Sequence, residues 1–164
     1  MYLSYVRNKH CSAIDQSDGS VLARASVEET AFAARVEMVV TVPGLEIASI
    51  KAEIDRCFID RCREAVLLVK KAEGLRVGPG IIKLVNGMVG GSGGCPRLAD
   101  LILECGEQVI LRFTLDPLKK ILDISGQEMI DAYREFLSQN PRLANSCIAF
   151  AEGSPLREGV ELDD

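Results

Sequence analysis

Residues 35–54 read RVEMVVTVPGLEIASIKAEI, and their periodicity decides the fold class. Val36, Met38, Val40 and Val42 alternate with other residues, the period of a strand with one buried face. Pro43-Gly44 interrupts the run as a turn. Leu45 and Ile47 resume the alternation, and Ile50, Ala52 and Ile54 continue it one phase later. That slip near Ala48-Ser49 predicts a bulge, because one extra residue reverses which face the following side chains take. The stretch is therefore a β-hairpin.

Working upstream, Asp18-Gly19 is a hairpin turn signal between a segment around Tyr2–Ile14 and one around Val21–Val27. Downstream, the period changes to helical. Phe58, Cys62, Ala65, Val66, Val69 and Ala72 share one face of a helix ending at Gly74. Gly78-Pro79-Gly80 opens a short helix, with proline expected at its first position. The loop Gly90-Gly91-Ser92-Gly93-Gly94 follows, and Cys95-Pro96 starts a helix striped by Leu98, Leu101, Ile102, Cys105 and Val109. Asp116-Pro117 reads as a fresh cap. Ser125 and Glu128 form a capping-box pattern for a helix to about Gln139. Strands followed by helices predict an α+β fold, an antiparallel sheet from the N-terminal half packed against helices of the C-terminal half. The length of 164 residues suits one domain, expected over 1–151, with a loose acidic tail over 152–164.

Composition narrows the function. The net charge of −5 and scattered Lys and Arg argue against nucleic acid and anionic membrane as partners. The N-terminal residues show no apolar signal region, and no run of 18 or more apolar residues occurs, so a cytoplasmic location without membrane contact is expected. The six cysteines are then core thiols, ligands or nucleophiles rather than disulfides.

Cys95 is the most pointed of them. At a helix N-terminus it meets the positive end of the helix dipole and unpaired backbone N–H groups, an arrangement suited to a nucleophile or a metal ligand. The glycines before it let backbone approach a ligand closely. Against that stands a small residue joining a loop to a helix. Cys57 and Cys62 lie about 140° apart on a regular helix and are no ready ligand pair; no C-x-x-C zinc pattern occurs. Cys105 belongs to the apolar stripe and reads as core. His10, the only histidine, adjoins Cys11 and reads as a loop residue. Gly78, Gly80 and Gly94 are weak candidates for an anion site at helix starts, with Arg76 and Arg97 nearby in sequence. Glu28-Glu29 reads as solvated surface.

The segment GLRVGPGIIKLVNGMVGGSGGCPRLADLI, residues 74–102, resembles a family of uncharacterised bacterial domains with the pattern L-x-G-L-R-I-G-P-G-F followed by G-G-x-x-G-C-T-H-L. The resemblance extends back to Cys62 and forward to Asn145-Ser146-Cys147, matching a family D-S-C-H. Here Cys95-Pro96-Arg97 stands at the C-T-H, and Cys147-Ile148 at the C-H: the cysteines are present and the histidines are not. The order of strands, cysteine, helix, cysteine and long helix is also distantly similar to NifU/IscU-like iron–sulfur scaffold proteins. That likeness implies the corresponding fold and matches Cys62 and Cys95 to two scaffold cysteines; with Cys147 added, three thiolates are candidate ligands for an Fe–S cluster or Zn. The expected function is a sulfur- or metal-handling or binding protein with a thiolate site around Cys95 and Cys62. The alternatives are an enzyme with Cys95 as nucleophile, and a non-catalytic interaction module that meets a protein partner or a second copy of itself.

Overall fold

Alternating apolar residues produce four strands, β1 (Arg7–Asp15), β2 (Val21–Glu29), β3 (Ala33–Val40) and β4 (Ile47–Arg56). They pair antiparallel in the order β1-β2-β3-β4. The structure is a computed structural model that describes residues 4–161, apart from the side chains of Asp116, Pro117 and Lys120. The start of the expected first segment, at Tyr2, lies outside the described residues. Gly19 turns between β1 and β2 at φ +83°, a conformation that favours glycine. Val39 pairs with Ser49 and Val40 with Ile47, so Ala48 is the extra residue of the anticipated bulge. A second irregularity skips Asp55.

One face of the sheet is apolar. Val21, Ala23, Ala25, Val36, Met38, Val40, Ile50 and Ile54 are all at most 2% exposed. They are covered by helix α2 (Pro96–Leu122), whose Leu98, Leu101, Ile102, Cys105 and Val109 are at most 1% exposed. The i, i+3, i+4 stripe thus does what its spacing implies. The fold is α+β, with the sheet in the N-terminal half and helices in the C-terminal half.

Four helical expectations are corrected. Residues Asp60–Ala72 form a 3-10 helix rather than an α-helix, and bury Ala65, Val69 and Ala72 only. Phe58, expected on the buried face, is 88% exposed and precedes the helix. The short helix α1 (Ile81–Met88) is capped by Gly80 at φ +89°, so Pro79 lies outside it. Backbone helix also runs on through 116–117, where a new start was expected.

The 3-10 helix and the chain after it cover the free edge of β4. Ile50 donates its N–H to Glu73 Oε1 at 3.0 Å, and Arg63 donates to the Ile54 carbonyl. Ile47 donates its N–H to the Leu75 carbonyl and accepts from the Gly74 N–H, both at 2.9 Å, and Val77 donates to the Leu45 carbonyl at 2.7 Å.

The chain divides into two compact units, 1–112 and 113–164. In the second, helix α3 (Gly126–Gln139) buries Phe136 and Leu137, and Tyr133 packs against Phe150 with centroids 6.5 Å apart. Ser125 precedes α3, but its side chain makes no capping bond. In the same unit Arg134 donates to the Pro155 carbonyl and pairs with Glu158. Among the described residues no helix is long and apolar enough to cross a membrane.

Candidate functional site

The start of α2 is built by a tight reversal. Cys95 donates its N–H to the Val89 carbonyl at 2.8 Å, and its own carbonyl accepts from Ala99 at 3.1 Å, so Cys95 is the N-cap. A Cβ on Gly94 would fall 2.0 Å from the Val89 oxygen. One on Gly90 would fall 3.1 Å from the Asn86 carbonyl and 3.2 Å from the Ala99 side chain. The Val89 carbonyl therefore excludes a side chain at Gly94, and Gly90 is closely enclosed by the α1 backbone and the Ala99 side chain. A Cβ on Gly91 would make ordinary contact with the Gly87 carbonyl at 3.5 Å, and one on Gly93 would meet nothing within 4 Å.

Cys95 is half-buried there. Cys62, also half-buried, lies on the 3-10 helix, whose Leu68 packs beside Gly94. Cys147 is exposed and belongs to the second unit. Among the described residues no group of three or more His, Cys, Asp and Glu is arranged to hold a metal ion. Cys105 is fully buried, and burial pushes its thiol up to about 12. Burial, followed by the nearby Glu104, also raises the Cys11 thiol. His10 neighbours Cys11 on β1, and successive side chains of a strand point to opposite faces, so the two form no dyad.

Two residues from Cys95 lies a cluster that the sequence reading missed. Glu29, expected on the surface, is 2% exposed. Arg7 Nη2 lies 2.6 Å from its Oε1, and Arg97 Nη2 lies 2.9 Å from its Oε2. Arg97 also sits over the Phe32 ring, 5.1 Å from its centroid, and Arg56 donates to the Glu29 carbonyl at 2.8 Å. The Arg97 hydrogen bond, helped by Tyr5 and Arg7, holds the Glu29 carboxyl below the ordinary carboxylate range. The signal was available: Val21, Ala23, Ala25, Val27 and Glu29 share one face at period two.

A separate open groove of about 630 Å³ lies between α1, α2 and β1. Val77, Ile81, Ile82, Leu103 and Ile110 line it with hydrocarbon. Its polar lining is Lys9, Asp100, Glu104 and Glu107. Lys9 Nζ is 2.6 Å from Glu104 Oε1, so the pair offset each other. Asp100 and Glu107 have no ion-pair partner among the described residues, and the groove is left negative. Gly78 lines it too, and this charge disfavours an anion beside that glycine. Gly80 caps α1, and Gly94 is occupied in the reversal already described.

A family model described as "Protein of unknown function (DUF2889)" matches residues 8–111. No curated protein and no solved structure matches the chain.

Proposed function

For a chain that belongs to the DUF2889 family, we propose the role of a non-catalytic binding domain whose α1–α2 groove takes an apolar molecule with a cationic end. The groove itself carries this reading. Its volume falls within the roughly 300–1,000 Å³ typical of small-molecule sites, and such sites combine hydrocarbon walls with a few polar groups. The walls would bury an alkyl or aromatic body. Asp100 and Glu107 lie seven residues apart on α2, about 10 Å along its axis. They flank the neutralised Lys9–Glu104 pair, so an ammonium gains from either, and a carboxylate is repelled.

Isothermal titration with a medium-chain alkylamine and with the fatty acid of equal length tests it. The amine is expected to bind and the acid to bind more weakly. Both rim carboxylates are exposed, so Asp100→Asn with Glu107→Gln should weaken the amine about three- to tenfold. Ile82→Lys should weaken it further by placing a charge in the apolar wall. Equal affinity for amine and acid, or binding of neither, would overturn the proposal.

A second reading keeps a thiol site at Cys95 and Cys62, as sulfur or metal ligands or as a nucleophile. It is supported by the packing of the Cys62 helix, through Leu68, against the loop that ends at Cys95. It predicts bound iron or zinc after anaerobic purification that is lost in Cys95→Ala, or else alkylation of Cys95 faster than that of buried Cys105.

A further inference from the structure

The two edges of the sheet are treated differently. The chain covers β4 with its own 73–77 segment, whereas β1, nine residues long, has no covering strand among the described residues. The phase of the β1–β2 ladder says which groups β1 leaves open. Thr30 donates to the Val6 carbonyl at 3.1 Å and Gln16 to the Ser20 carbonyl at 2.9 Å. Opposed residues in an antiparallel pair alternate between bonded and non-bonded. Asn8, His10, Ser12 and Ile14 are therefore the residues bonded to β2. The N–H and C=O groups of Arg7, Lys9, Cys11 and Ala13 point outward along the free edge, and none has a backbone partner among the described residues.

From this we infer that the β1 edge pairs with the β1 edge of a second copy, about a two-fold axis at Cys11, to make one continuous eight-stranded sheet. The register follows from the sequence. With Cys11 opposite Cys11, Lys9 faces Ala13 of the second copy and Arg7 faces its Asp15, and the whole strand is used. Every outward group then meets an outward group, since all these residues share one phase. Opposite charges stand across from each other at both ends, in addition to the Arg7–Glu29 and Arg112–Asp15 pairs within each copy, and no like charges stand directly opposite. Moving the axis to Lys9 would set two ammonium groups face to face and shorten the ladder. β1 contains no proline and no bulge, and its charged residues Arg7, Lys9 and Asp15 are each tied into an ion pair within the chain.

Sedimentation equilibrium over a range of protein concentrations tests this on the full chain. The wild type is expected to reach the mass of a dimer as concentration rises. Ala13→Pro removes only an outward N–H and leaves the β1–β2 bonds in place. Cys11→Lys sets two ammonium groups opposite each other at the axis. Each should return the protein to a monomer, with thermal unfolding of the monomer retained; two unrelated variants guard against a folding defect in one. A wild type that stays monomeric throughout, or that binds only an extended peptide, overturns the inference. So does a dimer that survives both changes.

Discussion

Glu29 keeps its charge where an unpaired carboxylate would be costly to bury, because two guanidinium groups hydrogen-bond it. Its carboxyl is held down in the fold, chiefly by Arg97. The unfolded chain therefore takes up that proton at a higher pH than the native one does. The resulting stability is fully present above the ordinary carboxylate value of about 4.5, and is lost as pH falls through the lowered native value. Glu29→Gln keeps the shape and removes the charge. Urea melts from about pH 3 to 7 should show a loss of about 1–3 kcal/mol at neutral pH. The variant's stability should also fall less steeply with acid than the wild type's. Parallel curves for the two proteins would mean that Glu29 is not the group responsible. Glu29 was legible from the strand alternation that places it with Val27 and Ala25. Its partners were not, because Arg7 and Arg97 lie 22 and 68 residues away in sequence.

Among the elements, the glycine loop before α2 is a motif that the sequence located and for which the fold supplies a packing reason. Four glycines in five residues suggested a ligand, yet Gly90 and Gly94 are accounted for by the backbone of α1 itself. Gly94→Ala should destabilise by about 2 kcal/mol or more, since its Cβ would meet the Val89 carbonyl. Gly93→Ala, with nothing within 4 Å, should stay within about 0.5 kcal/mol. Chemical denaturation of the two variants separates packing from ligand contact: equal losses would contradict the packing explanation. The hairpin, its bulge at Ala48 and the α2 stripe were legible because each is a local period. The 3-10 helix was not. Ala65, Val69 and Ala72 fit an α-helix as well, and bonds from Arg63 and Glu73 to β4 add a tertiary constraint that local periodicity does not carry. Asp116-Pro117 suggested a fresh helix start, but one backbone helix continues through them to Leu122. The groove could not be seen in sequence, since it needs β1, α1 and α2 together.

At the scale of the molecule, the sheet should divide into a stable centre and a conditional edge. β2 and β3 are bonded on both sides, and their Ala23, Val36 and Met38 are at most 1% exposed. Their amides can exchange with solvent only by opening much of the residue 1–112 unit, a cost on the order of 5–15 kcal/mol. β1 has one partner strand among the described residues, so its protection must alternate. In the monomeric Cys11→Lys variant, the amides of Asn8, His10, Ser12 and Ile14 should exchange slowly, and those of Lys9 and Ala13 fast. In wild type at rising concentration, the fast set should slow as the second copy takes up their outward N–H groups. Hydrogen exchange read residue by residue by NMR measures both effects in one experiment. Uniform protection along β1 in the variant would show that the assigned ladder phase is wrong. Alternation that ignores concentration would leave the phase standing and remove the pairing of copies. The two conclusions can therefore fail separately, and neither depends on whether the groove on the helical face binds an amine.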